Sequence, residues 1–295
     1  STGRVAARTR TELGALYATS IAYGIGVGAW LGIELEIEDP GIFLIAPTVL
    51  GAAAPGGVAL LDRPAMPEGL PGAIAGGLVM GAGEGLGLAG VHDTTVAEGR
   101  RWGIRGFSRA TTVGATLGGV GGGLVGYYLE PPPETVFFAT SSIFWGTAIG
   151  SFFGYGASPA DEGWSRSNDS AALGGFVGFN VALVGAAGLG ALWIPSWEQL
   201  GWMWAGAGIG AGASLPVFLL YAGEGGPPAK RGFLFTGTAT TLGLTLGALL
   251  SPGSDAFGVA GHGPGAASGG WVCVTHVAPM AVQGGGGVVV GGLLR

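Results

Sequence analysis

The sequence predicts an all-β membrane protein: an antiparallel transmembrane β-barrel of about 10–12 long strands with a Gly-rich inner face. Three observations carry this expectation. The chain has 295 residues, of which 65 are Gly, 48% are hydrophobic and only 10% are charged, with a mean hydropathy of +0.54. A soluble domain carries about 25% charged residues, so lipid is the solvent that fits. From Tyr17 to Glu38 the odd positions are almost all apolar (Tyr17, Ile21, Tyr23, Ile25, Val27, Leu31, Ile33). The even ones are mostly small or acidic (Ala22, Gly24, Gly26, Gly28, Glu34, Glu36). That is a strand's period of two. Residues 271–295 then read as a β-rich segment, a Pro, a Gly-rich turn and a second apolar strand.

The elements follow in order. The first strand, near 14–37, is the alternating stretch itself, and the second, 41–61, fills an uncharged run. Strand 70–91 contains Gly81, Gly83, Gly85 and Gly87 at alternate positions, and 95–109 holds the densest basic cluster. Segments 110–129, 135–157 and 170–194 are uncharged runs; 199–222 repeats the alternation as Gly206, Gly208, Gly210 and Gly212. In 232–250, Leu242, Leu244 and Leu246 alternate with Gly243, Thr245 and Gly247. Strands 271–279 and 284–294 close the series at eleven, one away from the even number that bacterial single-chain barrels favour. Pro47, Pro55 and Pro216 are expected at strand ends or bulges.

Two elements can cross a bilayer, and the second is a helix. The alternative fold is a polytopic α-helical bundle of about seven Gly-zipper transmembrane helices. Uncharged runs at 13–33, 40–61, 110–129, 135–160, 170–197, 199–223 and 232–254 are long enough for it. Gly114, Gly118, Gly122 and Gly126, like Ser142, Gly146, Gly150 and Gly154, form the small-xxx-small ladders by which membrane helices pack. Against this, four Gly in seven positions cost a helix several kcal/mol at about 1 kcal/mol each. In either fold the chain reads as a single integral membrane domain, 1–295. Its N-terminus lacks a signal-peptide pattern, so a removed targeting segment or a fragment is expected. If 64–109 crosses an even number of times, the loops of Arg63, Arg166 and Lys230 share one face, opposite Glu36, Glu134 and Glu198.

The segment WVCVTHVAPMAVQGGGGVVVGGLLR (271–295) resembles the closing hairpin of bacterial outer-membrane β-barrels, with Arg295 where that family favours an aromatic residue. The Gly-rich chain as a whole resembles uncharacterised outer-membrane proteins of myxobacterial-type Gram-negative bacteria. The resemblance implies a location in the outer membrane and no particular activity.

Functional candidates are few. Glu84 is an intramembrane polar site in a Gly-rich run, followed by His92 and Asp93. Arg100, Arg101, Arg105 and Arg109 are a candidate contact for anionic lipid, including lipopolysaccharide headgroups. His262 and His276 have no carboxylate at triad spacing, so no catalytic residues and no enzyme activity are expected. Cys273, the single cysteine, has no partner for a disulfide or metal site and reads as a small packed residue. No cofactor is expected, and the net charge of −6 speaks against nucleic acid. Trp102, Trp145, Trp164, Trp193, Trp197, Trp202 and Trp204 read as interfacial anchors. The expected role is structural, anchoring or assembly, with an occluded interior lined by small residues such as Gly24, Gly26, Gly28, Gly206, Gly208, Gly210 and Gly212. The partners would be membrane lipid and a partner protein or second copy. An outer-membrane pore or transporter is the first alternative, and a helical inner-membrane transport protein the second.

Overall fold

The computed structural model describes residues 8–159, 164–190, 192–221, 228–251, 272–282 and 285–294. Its architecture overturns the barrel. The chain forms α1 (Arg10–Glu34), α2 (Pro40–Phe43), α3 (Ile45–Leu61), α4 (Leu70–Thr95), α5 (Gly103–Leu129) and α6 (Pro133–Ala157). These are followed by α7 (Trp164–Gly190), α8 (Trp197–Ala213), α9 (Val217–Leu220) and α10 (Gly232–Leu250). Every predicted strand between 14 and 250 is therefore helical, apart from the Glu98–Arg100 3-10 turn and the loops. Only β1 (Val272–Val282) and β2 (Gly285–Leu294) are strands among the described residues, and they pair antiparallel with each other as a two-stranded hairpin.

The helix starts are written in local chemistry. Thr9 caps α1 through a reciprocal box with Glu12, Thr9 Oγ1 accepting from Glu12 N at 3.2 Å and Thr9 N donating to Glu12 Oε2 at 2.8 Å. Ser196 and Gln199 make the same box at α8. Asp39 caps α2 ahead of Pro40, and α6 opens on Pro133, where proline's missing N–H costs nothing. The three prolines assigned to strand ends sit elsewhere: Pro47 in the first turn of α3, Pro55 inside α3, and Pro216 capping α9.

Long helices associate in antiparallel pairs, α1 with α3, α4 with α5, α6 with α7 and α8 with α10, and the pairs begin at Arg10, Leu70, Pro133 and Trp197. Glycine makes each pair. A Cβ on Gly77, Gly81 or Gly85 of α4 would lie 2.1, 2.0 and 2.0 Å from the carbonyl oxygens of Gly118, Gly114 and Ala110 on α5. On α6, Gly146, Gly150 and Gly154 meet the backbone of Gly178, Gly174 and Ser170 in the same way. Gly206 and Gly210 meet Gly243 and Ala239, while Gly24 and Gly28 meet Leu50 and Pro47. No side chain fits in these seams, so backbones touch directly, as small residues allow between membrane helices.

The alternating glycines are two ladders. Two residues turn a helix by about 200°, so positions 81, 83, 85 and 87 fall on opposite faces. Gly81 and Gly85 touch α5, whereas a Cβ on Gly83 or Gly87 would strike Phe179 or Phe176 of α7 at 2.6 and 2.2 Å. Gly206 and Gly210 are packed against α10, but Gly26, Gly208 and Gly212 have nothing within 4 Å of a Cβ. The single inward small-residue face is thus corrected: Gly26, Gly208 and Gly212, three of its seven members, face outward.

Buried positions are dominated by small residues such as Ala73, Ala89 and Ala207, while Leu60, Leu117, Val184, Leu219 and Leu220 are at least two-thirds exposed. A water-soluble monomer does not expose apolar side chains on this scale. Among the described residues, seven helical segments are long and apolar enough to cross a membrane: α1, α2–α3, α4, α6, α7, α8–α9 and α10 with its preceding turn. The protein is an α-helical polytopic membrane protein. Helix α5 is less apolar but has 27 residues and lies along α4 from end to end. Its start is bonded to Asp93 near the end of α4, and its Gly126 lies against Leu70 and Ala73 at the start of α4. It therefore runs between the same two ends of the bundle as α4, an eighth antiparallel pass.

Candidate functional site

The eight antiparallel passes define two end faces of the bundle. The first face carries the start of α1, the 62–69 loop, the α5–α6 turn and the start of α8. It is tied together by the Arg8–Asp62 ion pair, by Gly69 N donating to Glu12 Oε1 at 2.7 Å, and by the Phe137–Trp197 ring contact at 5.3 Å. The second face carries the 35–39 loop, the α4–α5 connection, the ends of α6 and the starts of α7 and α10. There Arg105 pairs with Glu36 at 2.6 Å, and Lys230 Nζ donates to Ser167 Oγ at 3.1 Å. This corrects the predicted sidedness. Arg63 shares a face with Glu134 and Glu198, and Glu36 shares one with Arg166 and Lys230. The cause is parity: 64–109 contains one whole crossing and the start of another, because α5 begins at Gly103 and not at residue 110.

Most of the charge on the second face is already engaged. Arg109 grips Glu34 through both Nε and Nη2, a two-pronged guanidinium–carboxylate pair, with Trp30 Nε1 also donating to Glu34 Oε1 at 3.0 Å. Lys230 donates also to the Pro159 carbonyl, and Arg231 to the Gly156 carbonyl at 3.0 Å, so these cations satisfy carbonyls at the end of α6. Asp93 accepts from Trp102 N at 2.7 Å and Gly103 N at 3.1 Å and contacts His92 Nδ1 at 3.2 Å. The His92 ring stacks on Trp102 with centroids 4.0 Å apart. Together these groups fix the α4–α5 connection.

Between α4, α6 and α7 lies a cavity of about 850 Å³. This is within the range of sites for small ligands, roughly 300–1,000 Å³. It runs from Val79 and Thr140 near mid-bundle to Asp93, Arg101, Asn168 and Asp169 at the second face. Gly83 and Gly87 open it, because they leave room for Phe179 and Phe176, which form its α7 wall. The hydroxyls of Thr140 and Thr147 donate to Val136 and Ile143 carbonyls of their own helix, so they are satisfied without a partner in the slot. The result is an apolar slot with a polar mouth.

The structure divides the predicted site residues. Arg105 and Arg109 are bound to α1, Arg100 lies in the exposed 3-10 turn, and only Arg101 reaches the cavity. Glu84 stands near the middle of α4, with Oε2 buried and without a hydrogen-bond partner among the described residues, and it does not line the slot. Asn168, Asp169, Phe176 and Phe179 were missed; helical phase linking 83 and 87 to one neighbour was the signal for that wall. Trp145 and Trp204, two of the tryptophans read as anchors, form an aromatic cluster with Phe144, in which Trp204 Nε1 donates to Ser141 Oγ at 3.0 Å. His262 lies outside the described residues, as do the side chains of Cys273 and His276. Among the described residues no group of three or more His, Cys, Asp or Glu is arranged to hold a metal ion.

No protein-family model, curated protein or solved structure matches this chain.

Proposed function

We propose that this is a helical inner-membrane transport protein that takes an apolar or amphiphilic solute into the slot between α4, α6 and α7. The carrying observation is the slot itself, an apolar space of ligand size that opens at one membrane face. The helical architecture supports the helical alternative and gives no support to the outer-membrane barrel, whose spanning elements would be the strands of a closed sheet. Arg100, Arg101, Arg105, Arg109, Arg166, Lys230 and Arg231 all belong to the second face, against Arg8, Arg10 and Arg63 on the first among the described residues. By the positive-inside rule the second face, and with it the mouth of the slot, is cytoplasmic.

Reconstitution tests this. Vesicles carrying the protein and an acyl-labelled fluorescent lipid should lose fluorescence to an external quencher faster and further than empty vesicles, because lipid exchanges between leaflets. Ala172→Trp places a large ring on an exposed small residue of the slot wall and should abolish the acceleration. Equal rates in empty, wild-type and Ala172→Trp vesicles would overturn the proposal.

A further inference from the structure

We infer that the mouth of the slot recognises the zwitterionic headgroup of a membrane lipid, its phosphate on Arg101 and its ammonium on Asp169. This rests on reading the slot as an amphiphile site. Arg101 and Asp169 come from the α4–α5 connection and from α7, and both line the mouth. Among the described residues neither side chain has a hydrogen-bond or ion-pair partner, and they do not pair with each other. Their neighbours differ: Asp93, Arg105, Arg109, Lys230 and Arg231 are all committed to protein groups. Two opposite charges held apart at the end of an apolar space discriminate by sign. An anionic headgroup satisfies Arg101 and meets repulsion from Asp169, and a cationic one does the reverse. A headgroup with both charges satisfies both, and a guanidinium matches phosphate geometry. Asn168 beside them supplies a donor and an acceptor.

The slot's length suits a lipid tail. From Val79 to Thr94, α4 rises about 22 Å, more than half of the ~30 Å hydrocarbon core. An acyl chain lying along Leu86 and Phe176 therefore stays at hydrocarbon depth while its headgroup reaches the charged mouth.

Photo-crosslinking of the purified full chain in dodecyl maltoside tests the assignment. The probes are diazirine-tailed lipids with phosphocholine, phosphoglycerol, trimethylammonium or bare glycerol heads. Labelling is read by mass spectrometry on the peptides containing Leu86 and Phe176. The phosphocholine lipid should label these peptides about tenfold more than the phosphoglycerol or trimethylammonium lipid, the discrimination expected of one charged hydrogen bond. Arg101→Gln should bring the phosphocholine lipid down to the level of the trimethylammonium lipid. Asp169→Asn should bring the phosphoglycerol lipid up to the level of the phosphocholine one. Both side chains lack partners, so the variants should retain wild-type circular dichroism and elution. Equal labelling by all four heads, or an anionic preference unchanged by Asp169→Asn, overturns the headgroup assignment and leaves the amphiphile site standing. Absence of labelling at Leu86 and Phe176 by every lipid overturns the amphiphile reading itself.

Discussion

The glycine seam between α4 and α5 makes a strong prediction for Gly118→Ala. A Cβ at that position would lie 2.2 Å from the Gly77 carbonyl oxygen and 2.8 Å from Gly81 Cα, both backbone atoms with no rotamer to move away. The helices must part by about 1 Å, and a gap of that size forfeits a quarter to a half of each contact worth ~0.1–0.2 kcal/mol. Over a few tens of atom pairs along the seam the loss is about 2–3 kcal/mol. Alanine's helix propensity returns up to ~1 kcal/mol, so the net destabilisation is roughly 1–2 kcal/mol. Gly121 is the matched control: it lies on the same helix with nothing within 4 Å, so Gly121→Ala receives the propensity gain alone. SDS titration in mixed micelles, followed by the helical circular dichroism signal, should move the two midpoints in opposite directions. Shifts of the same sign and size would show that the backbones do not touch at this seam.

The eight passes predict that single cysteines at Arg63, Glu134 and Glu198 are labelled from one side of sealed vesicles, and those at Glu36, Arg166 and Lys230 from the other; any mixed set refutes the topology. Glu12 is only 4% exposed and bonds Thr9 N, Thr9 Oγ1 and Gly69 N, so Glu12→Ala should destabilise by about 1–3 kcal/mol in the same titration. Glu84→Leu should leave stability unchanged or raise it by about 1–3 kcal/mol, since one buried carboxylate oxygen has no partner among the described residues. A marked loss of stability would instead show that Glu84 is satisfied by a group bound in the membrane.

Membrane residence was legible from composition, because lipid is the one solvent that tolerates so little charge. The choice of element was misread for a physical reason. In water, one polar face betrays a helix by its 3.6-residue period. Lipid removes that contrast, and α1 shows the consequence: Ile21 and Ile25 face outward while Leu16 is buried, so large apolar residues occur all round. What varies around such a helix is side-chain size, set by where another backbone approaches. Gly24, Gly28 and Gly32 mark one approach, and the unpacked Gly26 between them completes a false period of two. The capping boxes Thr9-x-x-Glu12 and Ser196-x-x-Gln199 were the local evidence on the other side. Each stands directly before an apolar run, and a strand has no use for either.

The site was less legible because it depends on parity and on distant partners. The Arg cluster was visible as charge, but its division into bound and unbound members depends on Glu34 and Glu36 at the far end of α1. Once α5 is counted from Gly103, its first turns belong to a membrane helix, and arginines there meet lipid unless they find carboxylates. Arg105 and Arg109 find them, which neutralises their charge locally and leaves Arg101, just before the helix, as the member facing the slot. The same logic separates Asp93 from Asp169. Asp93 closes the α4–α5 turn through two backbone N–H groups, whereas Asp169, in the second turn of α7, has no local donor to hold. The bundle thus commits several of its few charges to its own connections. Among the described residues, the two unpartnered charged side chains that line the mouth, Arg101 and Asp169, are of opposite sign, and a headgroup carrying both charges can satisfy both.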